Sequence, residues 1–226
     1  MYLQNGYSGS DKNTSYELHI QPDDLLQIIV SAENPEVAAP YNLKSPSVEG
    51  AMSGQNQVEG YLVDKNGEIE FPQIGKIKLE GLTRIEATEK IKTILSEHIS
   101  NPSIHLRVLN FKISIIGEVS APGVFKVDGE RITLLEALSK SGDLTIYGKR
   151  KNIMVIREKN GEKTIEKVDI TNSDFINSPY YYLAQNDVVY VEPNKTRINN
   201  SVIGSDIRAT ISILSFAIGV ILIFTH

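Results

Sequence analysis

Four histidines, His19, His98, His105 and His226, are the side chains best suited to ligate a metal or to move a proton near neutral pH. None stands at metal-ligand spacing from another. His19 and His105 fall at strand positions and His98 at a helix end, where surface and capping roles suit them better than ligation. Asp23-Asp24 is a carboxylate pair, the residue type of general acid–base work. It follows Pro22 with no second catalytic candidate nearby in sequence, so a turn or cap role is expected. With no cysteine, the chain lacks disulfides, thiolate metal sites and cysteine nucleophiles. Gly-x-Ser-x-Gly, the phosphate-cradling Gly-x-x-x-x-Gly-Lys-[Ser/Thr] and His-Glu-x-x-His are all missing. The expectation is a protein that is not an enzyme, with no catalytic residues, no metal and no cofactor. Tyr180-Tyr181-Tyr182 is the densest aromatic cluster. It has the chemistry to stack on sugars or line an interface, although alternation along a half-buried strand is the simpler reading.

The elements that must hold these residues follow from the rest of the sequence. The 226 residues suffice for one large domain or two ordinary ones, and a composition of 41% hydrophobic and 23% charged residues is that of a globular protein. A net charge of −5 leaves no basic footprint, which excludes nucleic acid as the expected partner. Met1 to Gly6 has neither a basic n-region nor an apolar h-region. Either the protein stays in the cytoplasm or its export signal lies outside this sequence.

Residues 1–15, rich in Gly, Ser, Asn and Asp, read as a flexible leader. Tyr16 to Ile20 alternates as a half-buried strand, and Gln21 to Asp24 turns the chain into a denser apolar strand, Leu25 to Val30. Residues 33–57 carry little periodicity and read as a functional or interface loop. Asn66-Gly67, between Tyr61–Val63 and Ile69–Phe71, predicts a hairpin. Pro72 to Gly75 turns into Lys76–Leu79. Thr83-x-x-Glu86 is a capping box opening a helix whose broad apolar face holds Ile85, Ile91, Ile94, Leu95 and Ile99, ended by Asn101-Pro102. Ser103–Leu109 is again a strand. A second unit starts at 111 with strands at Lys112–Ile116 and Val124–Val127. A second capping box, Thr133-x-x-Glu136, opens a helix that stops at Gly142. The hairpin Ile153–Arg157/Thr164–Asp169 and the strand Val188–Val191 complete the order of a β-grasp fold. The fold class is α+β, divided as 1–15, 16–110, 111–194 and a linker with a C-terminal helix at 195–226.

Residues 209–224 contain no charge. As a helix they span about 24 Å. A hydrocarbon core of about 30 Å asks for some 20 residues, although the bacterial outer membrane is thinner. Extending back to Ile203 supplies the length but includes Asp206 and Arg208. Ser201, Ser205, Arg208, Ser212, Ser215 and Gly219 recur at steps of four and three, one stripe on a helix. The stripe suits packing among copies or a water-facing lumen, while serine and glycine are also common in any membrane helix. A membrane-inserted tail is the expectation.

Three ordered segments together resemble the outer-membrane polysaccharide export family. Tyr16 through Val30, centred on Pro22 and Asp24, resembles that family's opening strand–turn–strand. Val63 through Gly75, with Gly67, Pro72 and Gly75 at its turns and Thr83 beyond, resembles its export-domain signature. Gly117-Glu118-Val119-Ser120-Ala121-Pro122-Gly123, followed by Thr133 to Leu138 and Ser141-Gly142-Asp143, is similar to the start of its soluble-ligand-binding β-grasp (SLBB) domain. The 33–57 loop, with its Pro35–Pro40 run, resembles the Bacteroidetes branch.

The resemblance implies a polysaccharide-export domain, one SLBB β-grasp domain and a C-terminal transmembrane or amphipathic helix. It implies an outer-membrane lipoprotein with a periplasmic body, its lipidated cysteine lying ahead of this sequence. It also implies a homo-oligomeric ring, often octameric, whose helices form a barrel for capsule or exopolysaccharide. The implied partners are the polysaccharide chain, outer-membrane lipid and an inner-membrane co-polymerase. Arg208 at the mouth of the helix would attract acidic glycans if the stripe lines the lumen, or anchor the helix at the interface. Two rival readings remain: a monomeric β-grasp receptor tethered by one helix, and a cytosolic tail-anchored protein.

Overall fold

Leu26, Ile28 and Val30 are buried on one side of strand β1 (Leu25–Ser31), alternating with outward-facing residues as the sequence pattern requires. The computed structural model in which this is seen describes residues 2–4, 17–43, 60–159 and 161–202. β1 is the centre of a three-stranded antiparallel sheet, between β2 (Tyr61–Leu62) and β5 (Ser103–Val108), with Ile28 opposite Leu106. Between β1 and β2 the chain forms a short helix, α1 (Pro35–Ala38), capped by Asn34 and continued by a 3-10 turn at Ala39–Tyr41. The sequence predicts only loop here, since so short a helix carries no periodicity. Helix α2 (Arg84–Leu95) covers the sheet through Ala87, Ile91 and Leu95.

Several expectations are corrected here. Residues 17–20 make only a bridge, His19 with Thr83, rather than a strand. Ile20 is instead pinned to the loop before α2, its N–H on Leu82 O and its carbonyl on Gly81 N. The Asn66-Gly67 turn does not close a two-stranded ladder. The Asp64 carboxylate accepts the amides of Asn66 and Glu68. The Asp64 N–H donates to Glu68 O across the turn, and β3 (Glu68–Phe71) finds its ladder partner in β4 (Gly75–Lys78) through the turn at Pro72–Ile74. Ile85 is 60% exposed rather than on the buried face. α2 stops at Leu95, six residues before Asn101, and the amides of His98 and Ile99 turn back onto Leu95 O to close its end.

The second core lies under a five-stranded sheet ordered β7-β6-β10-β8-β9. Its strands are β6 (Lys112–Gly117), β7 (Gly123–Lys126), β8 (Gly148–Lys159), β9 (Glu162–Val168) and β10 (Val188–Pro193). β10 runs parallel to β6 and the other pairs are antiparallel. Helix α3 (Leu134–Lys140) closes one face, burying Leu134, Ala137 and Leu138 against Ile113, Ile115, Val155 and Val189. Both expected capping boxes are formed, Thr83 with Glu86 and Thr133 with Glu136. Tyr180 to Tyr182 do not alternate along a strand. They follow a 3-10 turn at Ser173–Asn177, and only Tyr182 makes a bridge, to Thr133. The stretch expected to be a linker begins with helix α4 (Lys195–Val202). Among the described residues no helix is long and apolar enough to cross a membrane. Ser205, Arg208, Ser212, Ser215 and Gly219 lie outside the described residues, and Ser201 falls within α4.

Candidate functional site

Two places gather the residues that the sequence singled out. The first is one end of the five-stranded sheet. β6 leaves the first half of the molecule at Lys112 and ends at Gly117, about 17 Å further on. β10 runs beside it in the same direction, and its end at Pro193 meets the start of β8 at Gly148. Gly117 holds φ at +95°, and a Cβ there would stand 2.1 Å from Val191 O, so the close approach of β6 to β10 requires glycine. Glu118 N–H donates to that same carbonyl. Val119 bridges to Leu144, Ser120 N–H donates to Asp143 O and Ala121 N–H to Ser141 O, locking the segment onto the end of α3. Pro122 is exposed and Gly123 opens β7.

The Glu118 carboxylate then reaches outward. One oxygen accepts from the Thr145 hydroxyl at 2.8 Å and the other stands 3.0 Å from Arg197 Nε on α4. Tyr147 O accepts the Asn194 amide at 2.7 Å, and the Arg197 guanidinium lies 5.5 Å above the Tyr147 ring. Asn194 caps the helix by accepting from Arg197 N–H. α4 is thus rooted in the Gly117–Gly123 motif, a role that its residue types alone did not reveal.

Tyr2, Leu3 and Gln4 dock at the same end. Leu3 and Gln4 donate their amides to Ile170 O and Thr171 O at 3.1 and 2.8 Å. The Tyr2 hydroxyl donates to Asp143, and Arg150 covers its ring at 6.0 Å. Burial, then this hydrogen bond, holds the Tyr2 phenol protonated well above its ordinary range.

The second place is the joint between the two halves. Pro22 sets the turn, and the buried Asp24 accepts the Gln21 amide at 2.9 Å. Burial pushes its carboxyl up to about 6, with Asp23 adding to the rise and the Gln21 amide opposing it. The expected turn role is therefore formed. Asn110 ties the turn to the second half. Its side chain accepts from Leu25 N–H and donates to Asp23 O, while its carbonyl accepts from Gln185 Nε2 and Gln185 Oε1 takes Lys112 N–H. Sequence reasoning missed Asn110 and Gln185, because single amides outside regular elements carry no pattern. Beside the joint lies a cleft of about 870 Å³ lined by Leu18, Arg84, Ile85, Arg107, Glu130 and Arg131. Arg84 Nε stands 2.7 Å from Glu130 Oε1 across it, close but not aligned as a hydrogen bond.

The remaining motif residues build turns away from both places. Gly67 packs on Glu80, Pro72 lies in the β3–β4 turn, and Gly75 opens β4. His19 Nδ1 lies 3.0 Å from Gly81 O and His98 stacks on Tyr41. Among the described residues no three His, Asp or Glu gather into a metal-sized group. Tyr180 and Tyr182 are covered by Arg157 and Arg131 at 4.9 and 5.2 Å, and a shallow cleft of about 460 Å³ opens beside Phe175 and Tyr180.

Residues 12–109 match the family model for polysaccharide biosynthesis/export proteins, and residues 111–191 match the SLBB domain model. The chain is similar to the EPS I polysaccharide export outer membrane protein EpsA of Ralstonia solanacearum. They are 30% identical over 191 residues, covering 81% of this chain and 49% of that protein. The protein of the same name from Ralstonia nicotianae is 32% identical over 153 residues, covering 65% of this chain and 39% of its own. The chain thus spans about half or less of the length of the curated relatives it matches.

Proposed function

The chain belongs to the family of polysaccharide biosynthesis/export proteins, and from that premise we propose that it is a subunit of an outer-membrane translocon for exopolysaccharide or capsule. The observation that carries this reading is the convergence of Tyr2–Gln4 and α4 on one end of the β-grasp sheet, the end remote from the joint at Asn110. With the uncharged 209–224 segment as a membrane helix, that end faces the bilayer and the export domain hangs into the periplasm. Copies of the chain assemble into a closed ring whose C-terminal helices surround the path, and an inner-membrane co-polymerase feeds it. Conduction is passive: no bond is made, and the ring supplies a hydrated opening wide enough for a glycan. Relatives named for outer-membrane polysaccharide export support the compartment and the cargo class.

A second reading, a membrane-tethered receptor for a small ligand or glycan, is favoured by the cleft beside Phe175 and Tyr180. Light scattering on the detergent-solubilised full chain, with and without residues 203–226, separates the two. A large closed oligomer that shrinks on truncation is expected of the translocon. A monomer in both forms would transfer support to the receptor.

A further inference from the structure

Ile146, in the loop between α3 and β8, is 79% exposed, above every other exposed large apolar side chain among the described residues. A side chain of this kind on a loop is ordinary in isolation. Its surroundings are not. The next residue, Tyr147, holds α4 through the Asn194 amide and stacks under Arg197, and Ile198, one residue further along α4, is itself 45% exposed. Tyr2 lies at the same end against Asp143 and Arg150.

The charges at this end divide in a telling way. Its carboxylates are engaged: Glu118 by Thr145 and Arg197, Asp143 by Tyr2, Asp169 by Thr171, and Glu192 by Lys149 and Asn152. Lys151 and Lys195 are exposed and make no ion pair among the described residues. An aliphatic tip, tyrosines beside it and uncompensated lysines around it are the residue types that settle at a membrane interface. In the sequence, 16 uncharged residues, 209–224, follow six residues after the end of α4.

We infer that this end of the β-grasp domain rests on an anionic phospholipid surface, with Ile146 inserted among the acyl chains and Lys151 and Lys195 against the headgroups. The inference rests on the reading of 209–224 as a membrane helix and goes beyond it. The globular domain is itself a lipid-binding body, held at a fixed depth and tilt, and not a bead swinging on a tether. Negative surface potential draws the lysines in, and the apolar tip sets how far they sink.

The sequence contains no tryptophan, so I146W gives the full chain a single reporter. The variant is reconstituted into vesicles of phosphatidylethanolamine and phosphatidylglycerol with brominated acyl chains. The expected result is a blue-shifted emission quenched about twofold or more, with quenching falling by roughly half when phosphatidylcholine replaces phosphatidylglycerol. I165W, at a 61% exposed position on β9, serves as the control and stays unquenched. Vesicle flotation is measured in parallel. If the chain floats with its vesicles but the tryptophan of I146W is not quenched, the inference is overturned while the membrane reading stands. A blue shift without lipid quenching means that a second copy covers the tip, which also overturns it. If no form floats, the membrane reading itself fails.

Discussion

Gly117 and Gly75 both sit at positive φ, +95° and +89°, yet they answer to different constraints. A Cβ at Gly117 would meet the Val191 carbonyl, whereas nothing lies within 4 Å of one at Gly75. Gly117→Ala is expected to destabilise the chain by about 3 kcal/mol and Gly75→Ala by only about 1 kcal/mol, read from urea unfolding midpoints. Asp24 makes a second prediction at this scale. Its carboxyl is raised by burial from 3.8 to about 6, so the folded state holds its proton more tightly than the unfolded chain. The stability this contributes is fully present below pH about 4 and is lost as pH rises through about 6. Asp24→Asn removes the slope. Between pH 4 and 7 the wild type should lose on the order of 1–3 kcal/mol relative to the variant, and parallel stability curves would contradict the assignment. The turn around Asp24 was legible in the sequence because proline and aspartate act locally. The shift of its carboxyl was not, because burial depends on the tertiary fold around the turn, where Val63 bonds the backbone of Asp23 and Asp24 and Asn110 takes the Leu25 amide.

Elements were legible where their signals are self-contained. Both capping boxes and the strands β6, β7 and β10 form where spacing and alternation predict them. The reading failed where a side chain competes with the ladder. The Asp64 carboxylate takes the Glu68 amide, which a ladder across the Asn66-Gly67 turn would have used, and among the described residues β3 has its ladder partner only in β4. It failed again at Tyr180–Tyr182. There Arg157 reaches across from β8 to stack on Tyr180, donate to Tyr182 O and pair with the fully buried Asp187 at 2.6 Å. No local pattern announces a tie of that range. Arg157→Met leaves the Asp187 carboxylate buried without its cation and should cost about 3–5 kcal/mol in unfolding experiments. Thr133→Ala, which removes one cap, should cost only about 1 kcal/mol.

At the scale of the whole molecule the joint combines apolar packing, Leu18 and Val108 against the second core, with two polar ties of different character. Asn110 makes two side-chain bonds to the first half and one backbone bond to Gln185 in the second. The Arg84 and Glu130 side chains are 41% and 70% exposed, although Arg84 Nε itself is buried. Glu130→Gln is expected to change stability by less than about 1 kcal/mol, whereas Asn110→Ala should cost about 2 kcal/mol and broaden the small-angle scattering profile. The export and SLBB halves were legible through their ordered motifs, and the comparisons bear this out. The convergence of Tyr2–Gln4 with α4 was not, since it depends on the parallel course of β6 and β10, which no periodicity encodes. That convergence supports a body standing on the outer membrane and serving a glycan path. The most direct test is to remove the chain from its host cell and assay polysaccharide at the surface and in the periplasm. Loss of surface polysaccharide with glycan retained inside, restored by the full chain and not by one lacking residues 203–226, is the predicted result. Undiminished surface polysaccharide in cells without the chain would contradict the account.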